Sequence, residues 1–238
     1  MGGKVALTIA AAASALGFGV YAARGRSSSV FARSVYRGSR SRRAIALTFD
    51  DGPSPSTAAL LDLLDEYAVK ATFFQCGMHV RRLPEIARSV ADAGHEIGNH
   101  TDSHAALWLR SPDFIDAEIG GAQRSIEDVT GVKPVLFRAP YGVRWFGLRA
   151  AQERYGLLGV MWTVNSRDWR LPAPLIVPRL IRSAGNGAIL CLHDGRERAI
   201  MPDITNTLEA IREAIPRLTD VGYRFCTVSE LLRDDPVQ

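Results

Sequence analysis

The chain has 238 residues, 47% hydrophobic and 23% charged, an ordinary soluble composition long enough for one sizeable core. Its formal net charge of +4 belongs to the N-terminal tail: Lys4 and seven arginines precede Ala44 with no acid among them, leaving 21 basic against 25 acidic residues beyond. The body of the chain thus has no basic excess, and a nucleic-acid partner is disfavoured.

The first element is a nearly unbroken apolar stretch, residues 5–23, VALTIAAAASALGFGVYAA, behind a single lysine. It reads as a signal peptide with a weak small-residue cleavage site near Ala22 or Ala23, or as an uncleaved anchor of bilayer-spanning length. Either way, residues 1–23 predict a protein exported to the cell envelope or anchored facing outward, touching a membrane only through this segment. Arg/Ser-rich residues 24–43 read as a linker, and one folded domain is expected over 44–238.

From Ala44 short apolar runs alternate with helical patterns. The strand candidates are AIALTF, ATFF, HEIGN, VLFR, LGVMWTV, AILCL and YRFCTV, seven in all. Between the first two, Ser54 and Pro55 read as N-cap and first helical residue, with Leu60, Leu63, Leu64 and Tyr67 on one face. A second Ser-Pro start at Ser111 opens a helix with a stripe of Ile115, Ile119, Ala122, Ile126 and Val129, stopped by Gly131. A third helix carries Ile204, Leu208, Ile211, Ile215 and Leu218 and ends at Gly222. Strands separated by helices, apolar throughout, predict an α/β fold with a parallel sheet buried on both faces, open or closed into a barrel. No GxGxxG follows the first strand, so dinucleotide binding is not supported. Cys76, Cys191 and Cys226 have neither the number nor the spacing of a disulfide framework or a zinc cluster.

Polar residues follow these strands: Asp50 and Asp51, then His100 and His104, Arg138, Asp168 and Trp169, and finally His193 and Asp194. In a parallel α/β sheet the carboxyl ends of the strands share one rim, where active sites are built. HTDSH spaces two imidazoles at i, i+4, which on a helical turn face one metal. With a carboxylate they make a His₂Asp set, typical of catalytic zinc with open positions. One of the paired aspartates can then bind the metal while its neighbour works as a base, provided the chain bends at Gly52 and Pro53. His193 is a candidate general acid, held in its tautomer by a carboxylate such as Asp168. Arg138 fits a two-pronged hydrogen bond to a carboxylate. His79 and His95 carry no such pattern, and Trp108, Trp145 and Trp162 read as packing residues.

These motifs, TFDD at Thr48–Asp51, HTxxH at His100–His104, RxPYG at Arg138–Gly142, the Asp168–Trp169 pair and LHD at Leu192–Asp194, resemble those of the NodB-type polysaccharide deacetylases, over Ala44 to Leu232. The resemblance implies a distorted (β/α) barrel of about seven parallel strands. It implies a hydrolase that removes N-acetyl groups from N-acetylglucosamine-containing glycans, peptidoglycan or chitin-like oligomers, with one divalent metal, zinc before cobalt, nickel or manganese. By the same resemblance Asp50 is the base, oriented by Arg138. Asp51, His100 and His104 hold the metal, and the Tyr141 backbone N–H helps to stabilise the oxyanion. His193 is the acid, tuned by Asp168, and Trp169 with Leu190 or Leu192 lines the acetyl pocket. Two departures stand out: Asn165, where the family often has aspartate, and Cys191, where it commonly has leucine. An O-acetyl esterase or a deformylase would use the same metal site, and a non-catalytic carbohydrate-binding barrel would not need an intact base and acid. The expected partner is the glycan alone, with the protein a monomer.

Overall fold

Strand β2 (Ala44–Asp50) is buried at all seven positions, so it needs cover on both faces. Its alternation divides that cover. Ile45, Leu47 and Phe49 face a helix layer that includes Leu60, Leu63 and Leu64 of α2 (Thr57–Glu66). Ala44 and Ala46 face an inner cluster with Phe74, Ile189, Val228 and Leu231. The computed structural model describes residues 14–233.

Along the hydrogen-bonded path lie β1 (Ser34–Val35), β6 (Leu158–Val160), β5 (Leu136–Phe137), β4 (Glu96–Asn99), β3 (Thr72–Gln75), β2, β8 (Ala188–His193) and β7 (Val164–Asn165), with β9 (Arg224–Phe225) also on β2. Every one of these pairings is parallel. The chain runs from β6 to β7 through residues 161–163, although the two strands lie near opposite ends of the order. The sheet therefore curls until its ends nearly meet, giving the expected distorted barrel.

Helices α5 (Pro112–Thr130) and α8 (Thr205–Asp220) lie where periodicity predicts. Ser111 caps α5 by accepting from the Phe114 N–H, and Gly131 ends it at φ 71°. The first helix of the domain differs. Its N-cap is Ser56, and Ser54 stands two residues earlier, its Oγ donating to the Asp194 carbonyl and accepting from the Ser56 N–H.

The tail is a second difference. Residues 24–43 are not a free linker, because β1 adds a parallel strand to β6 and Ala22, Ala23, Ser28 and Ala32 are buried. Helical residues 14–24 (α1) lead into this strap. Arg144, itself buried, holds it by donating to the carbonyls of Ala23, Gly25 and Ser28 and to Ser34 Oγ. Phe31 packs on Trp145 and Phe146. The first part of the apolar stretch, residues 5–13, lies with residues 1–4 outside the described residues, among which no helix is long and apolar enough to cross a membrane.

Candidate active site

β2 ends with Asp50 side by side with His193, the last residue of β8. Both belong to the inward-facing half of their strands. Asp51 then turns the chain with φ 72°, and Gly52 packs so close to the Asp194 carboxylate that a Cβ there would lie 2.1 Å from its oxygen. This turn sends two adjacent carboxylates to separate partners.

Asp50 Oδ1 accepts from Arg138 Nη1 at 2.6 Å, and Oδ2 faces Cys191 Sγ at 3.4 Å. Arg138 is fully buried, its guanidinium over the Phe74 ring at 4.1 Å. It gives Asp50 one prong, not the two expected. Its other donors go to Thr48 Oγ1 and to the carbonyls of Val160 and Met161, where the sheet's ends approach.

Asp51 Oδ1 lies 3.3 Å from His100 Nε2 and 3.0 Å from His104 Nε2, while Oδ2 accepts from the Glu197 N–H at 2.8 Å. The histidines are not on a helical turn. They converge from a loop in which Thr101 and His104 take φ 67° and 55°, with rings 5.1 Å apart. Such backbone is costly for residues with a Cβ and persists where the surroundings enforce it. Burial opposes ionisation of Asp51; where the imidazoles carry a second proton, their hydrogen bonds outweigh it and hold the carboxyl well below the usual range. His100 Nδ1 donates to the Arg138 carbonyl at 2.7 Å, so a neutral His100 turns the Nε2 lone pair toward Asp51. Lone pairs converging on one point fit a cation held between them, and the donor set of one carboxylate and two imidazoles suits a divalent ion.

Asp168 is enclosed by four donors. Oδ1 accepts from His193 Nδ1 at 2.7 Å and Ser166 Oγ at 2.8 Å, and Oδ2 from the His193 N–H at 2.8 Å and Thr207 Oγ1 at 2.7 Å. Burial works against a charged His193, but the Asp168 carboxylate prevails and raises it to about 9. Trp169, half-exposed, stands edge-on to His193 with ring centroids 4.8 Å apart. Burial also pushes Asp194 up to about 7, against the hydrogen bond from Thr57.

Asp50, Asp51, His100, His104, Tyr141, Trp169 and His193 line one open cleft of about 1030 Å³. The polysaccharide deacetylase family model matches residues 37–160. Over 195 residues the chain is 38% identical to a peptidoglycan-N-acetylglucosamine deacetylase of Bacillus cereus, covering 80% of this chain and 89% of that protein. A chitooligosaccharide deacetylase of Azorhizobium caulinodans is 36% identical, covering 77% and 92%. The chain belongs to the polysaccharide deacetylase family. Among solved structures, BA3943 of Bacillus anthracis, described as a family pseudoenzyme, superposes with a TM-score of 0.77 at 28% identity, covering 84% and 69%.

The family's deacetylases are metal-dependent carbohydrate hydrolases, and this deacetylase has a donor set that could bind such an ion. Two sequence expectations fail at its cleft. Leu190 and Leu192 are fully buried among the helices, because on β8 they alternate with Cys191 and His193, which face inward. Trp162, expected only to pack, lines the cleft and lies 5.7 Å from the Arg138 guanidinium. Asn165 stands outside the Asp168 network, accepting from the Arg167 N–H and facing Cys191 Sγ at 3.8 Å. Thr48 enters the sequence analysis only as the first residue of TFDD, without a role, and Ser166 and Thr207 do not enter it. Each is a hydroxyl bonded to Arg138 or Asp168, and no local pattern signals that partner.

Proposed function

We propose that the protein hydrolyses the acetamide of N-acetylglucosamine residues in a glycan. The observation that carries this is Asp51 Oδ1 facing two imidazoles, with Asp50 and the His193–Asp168 pair beside it in one cleft. Asp51, His100 and His104 hold a divalent cation, zinc being best suited to this set, with cobalt, nickel or manganese as substitutes. When bound, that ion polarises the amide carbonyl and acidifies adjacent water. Asp50 takes the proton of the attacking water, and Arg138 keeps its carboxylate aimed into the cleft. Positive charge at His193, sustained by Asp168, supplies the proton that the departing amine needs. Trp169 and Tyr141 flank the sugar, and the Tyr141 N–H helps to hold the developing oxyanion.

Support for the N-acetyl substrate comes from the two relatives, whose names specify peptidoglycan N-acetylglucosamine and chitooligosaccharides. Retention of base and acid candidates argues for a catalyst over a binding barrel. The test is acetate release from N-acetylglucosamine oligomers and peptidoglycan, with and without chelator. Release that depends on metal and is lost in Asp50→Asn is expected; release indifferent to both would sink the assignment.

We further propose action outside the cytoplasm, from the apolar run 5–23 and from Leu16, Phe18 and Val20, exposed on α1, and as a monomer, since one chain supplies the lining of the cleft. Protease applied to intact spheroplasts should degrade it, and sizing of the released protein should give one chain per particle.

A further inference from the structure

Six arginines line the cleft: Arg24, Arg26, Arg167, Arg179, Arg196 and Arg198. They come from the N-terminal strap, the turn after β7, helix α7 (Ala173–Ser183) and the segment after β8. Elsewhere on this molecule Arg81, Arg154, Arg212 and Arg217 each meet a carboxylate. None of the six cleft arginines has a carboxylate within 4.0 Å among the described residues, as the ion pairs there involve other arginines and histidines.

The acids of the cleft are already committed. Asp50 is paired with Arg138 and Asp51 faces two histidines, while Glu197 lies beside the Tyr141 hydroxyl, which burial and then this carboxylate push up to about 12. Several guanidiniums are instead tethered through backbone carbonyls, which fix the group without neutralising it. Arg26 donates to Thr163 O at 2.8 Å, Arg179 to Asn165 O at 2.7 Å, and Arg198 to Ser103 O at 3.1 Å. Each keeps most of its five donors for a ligand. Like charges gathered in one cleft repel, and the arrangement gains free energy only when an anion enters.

The chain beyond the tail has an acidic excess of −4, so the four arginines that it contributes are a local concentration, to which the basic strap adds Arg24 and Arg26. Two of its members, Arg24 and Arg26, precede the region matched by the family model and reach the cleft because Arg144 and β1 hold the strap down.

We propose that the cleft recognises a glycan bearing anionic substituents next to the N-acetylated sugar, read by Arg24, Arg26, Arg167, Arg179, Arg196 and Arg198. This rests on the deacetylase reading and narrows its substrate class: a neutral chitin-like oligomer leaves these guanidiniums unused. A carboxylate and a phosphate substituent offer the same paired oxygens to a guanidinium, and the experiment separates them.

The full chain, loaded with zinc, is assayed for acetate release from four probes. These are neutral N-acetylglucosamine oligomers, peptide-free strands alternating N-acetylglucosamine with N-acetylmuramic acid, the same strands with the lactyl carboxylate converted to methylamide, and 6-phosphorylated oligomers. The expected result is a kcat/KM about tenfold higher on carboxylate strands than on amidated ones, from several exposed charge contacts acting together, and a ratio that shrinks as salt rises. A phosphate preference of the same kind supports the cleft equally and assigns the anion to phosphate. Arg24→Gln and Arg167→Gln should each cut the charged-to-neutral ratio about two- to fivefold, through KM more than kcat. Arg212→Gln, paired to Glu66 on the far surface, should leave the ratio unchanged. Equal rates on charged and uncharged probes, or a preference indifferent to salt and to the arginine changes, overturn the proposal while leaving deacetylation standing. Failure of all four probes overturns the deacetylase reading itself.

Discussion

Asp50 and Asp51 are neighbours in sequence with different partners, because the positive φ at Asp51 rotates its carboxylate away from that of Asp50. Under the proposed mechanism their losses differ in kind. Asp50→Asn keeps the ion and lowers kcat by about 10² to 10⁴, the usual worth of a placed base. Asp51→Asn weakens metal affinity, so excess metal restores part of the rate. Titrating each variant with zinc while following acetate decides it, and rescue of Asp50→Asn alone would reverse the roles. His193 gives a pH prediction. Its folded pKa is raised to about 9 from an ordinary 6.5, so its pairing with Asp168 stabilises the fold fully below 6.5 and is lost as pH rises through 9. Activity that needs a protonated His193 fails in the same direction. A bound cation subtracts from the raising effect of Asp50 and Asp51, so the alkaline limb of kcat/KM should fall between 6.5 and 9. Asp168→Asn should move that limb down, and an unmoved limb would remove His193 from the acid role. Side chains with unusual chemistry at strand ends were legible in the sequence. The hydroxyls of Thr48 and Thr207 were not, since their value comes from partners 90 and 39 residues away.

Long, periodic elements such as α5 and α8 could be read from spacing and end signals alone. Others could not. Strand β1 has two residues and no alternation, and it exists because β6 offers it an edge. The run LGVMWTV reads as one strand, but residues 161–163 turn between β6 and β7 to carry the chain from one end of the curled sheet to the other. HTDSH carries helical spacing, yet His104 takes φ 55° and the histidines meet through a loop. The strap is the largest miss, because its arginines resemble a solvated linker until their partners are known. Arg144 makes a test of it. Arg144→Met in the full chain strips a buried cation and its charge-assisted bonds to Ala23, Gly25 and Ser28, for a loss of about 3 kcal/mol. In a chain of this size that lowers Tm by about 6 to 12 °C. Limited proteolysis should then cut near Arg24–Ser29 first. A variant as stable and as resistant as the parent would return residues 24–43 to the status of a linker.

At the scale of the molecule the sheet is held by its core on every side except the rim, where the strands end and the loops converge. Asp51 extends β2, while His100 and His104 extend β4, two strands separated by β3 in the sheet order. A cation bound by all three ties those loops together and relieves the opposed lone pairs of Asp51 and His100. Because the unfolded chain has no such site, binding adds to folding stability by mass action, about 2.7 kcal/mol at a hundred times Kd. For a domain of this length Tm should rise by about 5 to 10 °C on adding zinc to chelated protein. The rise should vanish in His104→Ala and persist in Asp50→Asn, which keeps every ligand. Scanning calorimetry of the three proteins with and without zinc measures this without any substrate. A parent chain that gains nothing from zinc, or a His104→Ala variant that gains as much as the parent, would show that these residues do not form the metal centre.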